Sequence, residues 1–173
     1  IRLSLVGSEM CIRDRLMNGR PLDLTIEDSL VDTILEIWYP GTSGGLGVAD
    51  ILFGKYNPSA KLPITFPRNL GQVPIYYNVK NTGRPISIEN PTEDYKSNYI
   101  DSPNTPLYPF GHGLSYTTFK YSEIELSKEN ISETEVLLAS STITNTGDYD
   151  GHEVAQLYIC LLYTSDAADD SLR

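Results

Sequence analysis

The sequence predicts an α/β fold, the edge of an α/β sheet, followed by the opening of a β-sandwich. Three observations predict it. An apolar run at residues 34–39, a helically spaced stretch after Gly44 and an extended stretch at residues 61–67 stand in strand, helix, strand order. From Leu114 onward, β-branched and aromatic residues alternate with the turn signals Asn145-Thr146-Gly147 and Asp150-Gly151. The chain also holds 12 Tyr, 13 Gly and 11 Pro in 173 residues, a mixture that suits strands joined by long turns.

The elements follow in order. Leu16-Met17 reads as the end of a strand stopped by the turn Asn18-Gly19-Arg20-Pro21. Residues 34–39 read as a buried strand ended by Pro40-Gly41. Leu46, Ala49 and Phe53 recur at helical spacing, with Thr42 or Ser43 placed to cap the helix and Gly54 to close it. In residues 61–67, Pro63 and Pro67 restrict an extended segment to an edge or a strand end. Residues 68–109 are rich in Pro, Asn, Tyr and Gly and show little periodicity, as binding or linking loops do. Phe119, Tyr121, Ile124 and Leu126 mark one extended segment, residues 136–145 a second, and residues 154–159 a third strand.

The formal net charge is −10 and no basic cluster is present, so a nucleic-acid partner is not expected. No apolar run reaches the roughly 18 residues that span a bilayer. Residues 1–10 carry Arg2 and Glu9 and form no secretory signal. The two cysteines, Cys11 and Cys160, invite a disulfide. One coding sequence allowed for residues 11–15, however, reads on its complementary strand as Cys-Leu-Leu-Tyr-Thr, the sequence from Cys160 to Thr164. The ends are thus an inverted repeat of the kind a sequencing adapter leaves. Residues 1–15 and 160–173 are expected to be foreign to the protein, unbridged and unattached to the fold.

Candidate motifs are sparse. Gly44-Gly45-Leu46-Gly47 lacks the Lys-Ser/Thr of a phosphate loop and reads as a tight turn with close helix packing. His112 has no partner at metal-ligand spacing, so neither a metal nor a cofactor is expected. Ser115 lacks the glycines of a nucleophile elbow. Glu89, Glu93, Asp94 and Asp101 fit a solvated acidic loop better than a catalytic pair. Asn130-Ile131-Ser132 is a glycosylation sequon of low specificity.

The ordered string of segments says more. Asn18-Gly19-Arg20-Pro21-Leu22, Trp38-Tyr39-Pro40-Gly41, Ala49-Asp50-Ile51-Leu52-Phe53-Gly54 and residues 57–67 (NPSAKLPITFP) resemble the C-terminal α/β-sandwich domain of glycoside hydrolase family 3. Residues 74–78 (PIYYN) with residues 81–85 (NTGRP) do so too. Residues 106–119 (PLYPFGHGLSYTTF) resemble that family's bridge into a fibronectin type III-like domain, and Thr144-Asn145-Thr146-Gly147 with residues 151–158 (GHEVAQLY) is similar to the start of that domain. The resemblance implies an α/β-sandwich portion with a long loop at residues 16–113 and the start of a fibronectin type III-like sandwich at residues 114–159, both truncated. It is nearest to periplasmic β-glucosidases, which implies a periplasmic or secreted parent acting on β-glucosides or short oligosaccharides.

Members of this family are retaining enzymes that use two carboxyls about 5 Å apart. The nucleophile Asp lies on a barrel domain and the acid/base Glu upstream of the Asn-Gly-Arg-Pro turn. Neither position matches this sequence, so no catalytic residue is assigned and the chain alone is expected to be inactive. A β-xylosidase of the same family and a non-catalytic carbohydrate-binding or structural module remain alternatives. For substrate binding the long loop offers Asn81 and Arg84, with Tyr76 and Tyr77 as stacking surfaces. The plainer alternative is that Arg84 pins the loop through Glu89.

Overall fold

A computed structural model of the chain describes residues 13–79, Arg84 and residues 95–159. The first elements form a strand–helix–strand unit. Strand β1 (Arg13–Leu16) runs parallel to β2 (Thr33–Glu36), with Arg13 opposite Thr33 and Leu16 opposite Glu36. Parallel neighbours need a crossover, and helix α1 (Thr25–Leu30) lies in it. The sequence reading missed α1, because six residues make under two turns and carry no visible period. Its local signals are an Asp23 side chain accepting from Thr25 N at 3.1 Å and the acids Glu27 and Asp28 in the first turn, where the helix dipole favours negative charge.

Two expectations need correction here. The boundary after Arg15 does not divide the structure, since three of the four β1 residues precede it and are paired with β2. Strand pairing uses backbone groups that every residue carries, so the ladder is indifferent to the origin of the side chains. Residues 1–12 and 160–173, with Cys11 and Cys160, lie outside the described residues. The second correction concerns residues 34–39, which form a strand only to Glu36 and are mostly half-buried. Trp38 adopts φ 49°, a left-handed conformation uncommon for a non-glycine residue, which turns the chain out of the ladder.

Helix α2 (Gly44–Leu52) follows the expected spacing. Ser43 is its N-cap, yet the Ser43 side chain makes no cap bond, because its φ −91° and ψ 8° differ from the extended geometry that side-chain capping uses. A Cβ on Gly44 would collide with the Pro40 ring, as the tight-turn reading requires, whereas Gly45 and Gly47 face open space and are not close-packed. At the other end Gly54 takes φ 72°, while Gly54 N donates to Ile51 O (3.0 Å) and Lys55 N to Asp50 O (2.8 Å). That bond pair is a Schellman closure, and it needs a residue tolerant of positive φ.

Residues 61–67, expected to be extended, bend at Pro63 and Ile64 and form no strand, and their partner is the far end of the long loop. Leu62 N donates to His112 O, Phe66 N to Tyr108 O and Gly111 N to Leu62 O, each at 2.8 Å. The small core sits here. Phe66 is 1% exposed and Leu24 3%. The Phe66 ring lies 6.0 Å from Trp38 and 6.4 Å from Tyr108, centroid to centroid. The Tyr108 hydroxyl donates to Asp28 Oδ1, tying α1 to this layer; burial first, and Asp28 second, push its pKa up to about 12.

Beyond residue 117 the chain forms one antiparallel hairpin. Strand β3 (Phe119–Tyr121) pairs with β6 (Ile143–Asn145), and β4 (Glu125–Leu126) with β5 (Ala139–Ser140). Bonds from Ser122 N to Thr142 O and from Ser127 N to Leu138 O extend these pairs. The first two expected β segments are therefore present as partners. The third is not a strand: residues 154–159 enter no ladder among the described residues. Tyr158 and Gln156 instead make contacts with Tyr77 and with the Gly111 carbonyl, while Val154, Leu157 and Ile159 stay exposed.

Candidate binding groove

The site begins with a buried amide. Gln72, in the 3₁₀ turn Leu70–Gln72, is 1% exposed. Its Nε2 donates to Pro103 O at 2.7 Å, and its Oε1 accepts from Arg68 N at 2.7 Å. Arg68 Nε adds a bond to Thr105 O at 3.1 Å, and Arg68 O accepts from the Thr25 hydroxyl at 2.5 Å. Asn104 closes the outer turn, donating to Ser97 O (2.9 Å) and accepting from Tyr99 N (3.1 Å). Buried polar groups with all partners made fix a loop firmly, because breaking one strands the rest without water. This scaffold holds residues 68–79 against residues 97–106.

Between them lies a groove of about 640 Å³, within the size range of small-ligand sites, lined among others by Tyr76, Tyr77, Tyr99, Pro74 and Pro106. Tyr76 and Tyr77 are 62% and 61% exposed. Tyr77 stacks on Phe110 at 4.5 Å and 22°. The structure thus brings Tyr76 and Tyr77 together at one groove. Arg84 is exposed, and its carbonyl accepts from Ser97 N at 2.9 Å, which puts its backbone beside a lining residue. Asn81 lies outside the described residues, as do Glu89, Glu93 and Asp94. Tyr99, Asn104 and Gln72 were missed in the sequence. Their only signal was the Tyr and Asn content of the irregular stretch, since loop closure, not local pattern, assembles them.

The groove offers exposed aromatic and proline faces with amides and hydroxyls at their edges, a lining suited to a neutral polyhydroxyl ligand. Among the described residues no group of three or more His, Cys, Asp or Glu could hold a metal ion. No helix among them is long and apolar enough to cross a membrane. His112 stacks on Tyr108 at 5.2 Å; burial, then the nearby Lys61 charge, lower its pKa, as befits a packed neutral ring. At the end of β2, Glu36 Oε1 accepts from Trp38 N at 2.8 Å while Oε2 is buried without a partner. Burial raises the Glu36 pKa against the lowering effect of its backbone and Asn18 bonds.

Comparison with known proteins agrees with this architecture. The glycosyl hydrolase family 3 C-terminal domain matches residues 15–116. A periplasmic beta-glucosidase of Salmonella typhimurium is 54% identical over 144 residues, covering 83% of this chain and 19% of that protein. A beta-xylosidase of Formosa agariphila is 43% identical, with 83% and 19% covered. A crystal structure of beta-glucosidase from Listeria innocua in complex with gluconolactone superposes with a TM-score of 0.79 at 43% identity, covering 83% of this chain and 20% of that one. The chain spans about a fifth of the length of these relatives. It belongs to glycosyl hydrolase family 3, as a C-terminal domain of that family.

Proposed function

We propose that this chain is part of a retaining, exo-acting β-glucosidase that hydrolyses short β-linked glucosides in the periplasm or outside the cell. In this reading the groove at Tyr76 and Tyr77, with Arg84 and Asn81, contributes to the mouth of the sugar site. The observation that carries it is the aromatic groove on a chain 54% identical to a protein named as a periplasmic beta-glucosidase. A pyranose presents an apolar C–H face that packs on an aromatic ring and hydroxyls that suit amide and guanidinium donors. Bond cleavage needs two carboxyls at fixed separation, and these are assigned to the remainder of the full-length enzyme. Residues 16–113 then act as part of an α/β-sandwich, and residues 114–159 as the start of a fibronectin type III-like sandwich.

The test is an assay of the full-length enzyme on paired aryl β-glucoside and aryl β-xyloside substrates, with Arg84→Ala beside the wild type. The reading expects glucoside preference. It also expects a loss of about 1–3 kcal/mol in transition-state stabilisation for Arg84→Ala, the scale of a bond to a charged group, at unchanged Tm. Preference for the xyloside supports the β-xylosidase reading that the Formosa agariphila relative favours. Unchanged kinetics makes Arg84 a structural residue.

A further inference from the structure

The segment expected as a third strand lies where it touches the groove. Tyr158 meets Tyr77 edge to face, with centroids 6.5 Å apart at 67°. Tyr158 is held in turn, its hydroxyl donating to Gln156 Oε1 at 2.5 Å. Gln156 Nε2 donates to Gly111 O at 3.1 Å, and Gly111 N to Leu62 O at 2.8 Å. The same segment is anchored by Glu153, which pairs with Lys61 at 3.2 Å and accepts from the Tyr121 hydroxyl at 3.2 Å. Lys61 and Glu153 side chains are only 16% and 13% exposed, and Lys61 Nζ also donates to Gly113 O at 2.8 Å. Residues 153–158 thus form a strap across the segment that carries Phe110, the ring on which Tyr77 stacks.

Tyr77 itself lies in a stretch with no helix or strand, so neighbouring rings decide its side-chain direction. We propose that Gln156 and Tyr158 are positioning residues for Tyr77, so that the C-terminal strap supplies a supporting wall for the groove. This rests on the sugar-groove reading for its consequence, and on the ring geometry alone for its physical content. Edge-to-face and stacked contacts prefer defined geometries. Removing the Tyr158 ring frees the Tyr77 side chain to leave the orientation that ligand binding requires.

The experiment compares Tyr158→Ala, Tyr158→Phe, Tyr77→Ala and the Tyr77→Ala/Tyr158→Ala double variant in the full-length enzyme. Kinetics are measured on an aryl β-glucoside, with a crystal structure of Tyr158→Ala. Because Tyr158 is 56% exposed, its removal leaves the fold intact. Tyr158→Ala raises KM about three- to tenfold with kcat nearly unchanged, the scale of one ring contact. Tyr158→Phe, which keeps the ring and loses only the bond to Gln156, raises KM less than Tyr158→Ala does. The double variant is no worse than Tyr77→Ala, because the two act through one ring. A Tyr77–Phe110 stack left intact in the Tyr158→Ala structure overturns the positioning role, as do additive KM effects. A displaced Tyr77 with unchanged KM in Tyr77→Ala overturns the sugar-groove reading instead and leaves the positioning role standing.

Discussion

The layer around Phe66 and the hairpin beyond residue 117 use the same backbone chemistry and reach different states. Around Phe66, a few extended bonds to residues 107–112 come with buried Leu24, Thr65, Phe66, Pro67 and Gln72. In the hairpin the ladder is longer, yet residues 120–150 are all exposed, including Ile124, Leu126, Val136 and Leu138. Backbone bonds largely exchange water partners for protein partners and contribute modestly. Burial of apolar surface contributes more, and a two-stranded hairpin alone is marginal in water. The comparison therefore separates order from stability: the hairpin is regular without a core, and the loop layer has a core with little regular structure.

Mutations break this contrast in a definite order. Phe66→Ala empties the centre of the aromatic cluster and is expected to cost about 3–5 kcal/mol in urea unfolding, the range for aromatic-to-alanine changes in cores; a cost under 1 kcal/mol places the main core elsewhere. Gln72→Leu keeps the volume and removes the bonds to Arg68 N and Pro103 O. Stranding those groups is expected to cost about 1–3 kcal/mol, read from the same unfolding curves with the m-value unchanged.

Next comes a pH effect. Glu36 has its folded pKa raised above the ordinary carboxyl value, burial being the largest cause. A raised folded pKa means that the folded state binds the proton more tightly than the unfolded one. The stability it contributes is complete below the unfolded pKa and is lost as pH rises through the folded value. Wild type is expected to lose this contribution across that window, whereas Glu36→Gln, which cannot ionise, shows a flatter profile. Parallel urea midpoints for both proteins from acid to neutral pH would remove Glu36 from the account. The smallest effect belongs to the hairpin. Ile143→Ala is expected to change stability by no more than about 0.5 kcal/mol, as at exposed sites; a loss near that of Phe66→Ala means that the hairpin has a covered face.

Much of this was legible from residues 40–67, where punctuation is strong. Pro40-Gly41, the spacing of Leu46, Ala49 and Phe53, and Gly54 marked α2 to within a residue. The turn residues at 145–151 mark only where β6 ends, since the connection of the hairpin lies at residues 127–138. Helix α1 escaped because it is short, and the end of β2 because Trp38 leaves the ladder through an unusual φ that no residue type announces. In the groove, Tyr76 and Tyr77 were readable as exposed aromatics in a long loop, whereas Tyr99 was not, since Asn104 and Gln72 bring its segment in.

Helix α2, the first two β segments beyond residue 117 and the family were legible in the order of residues, because helical spacing, turn chemistry and the order of short motifs are properties of neighbouring residues. The tertiary structure decided which segments meet. Residues 61–67 found their partner in residues 107–112, residues 13–15 joined a strand, and residues 153–158 became a strap on Tyr77 and Gly111 instead of a strand. The physical reason is that backbone donors and acceptors are the same at every position. Which of them pair across a long loop is set by where side chains such as Phe66, Gln72 and Lys61 can be buried with all their partners made, and that is a property of the whole chain.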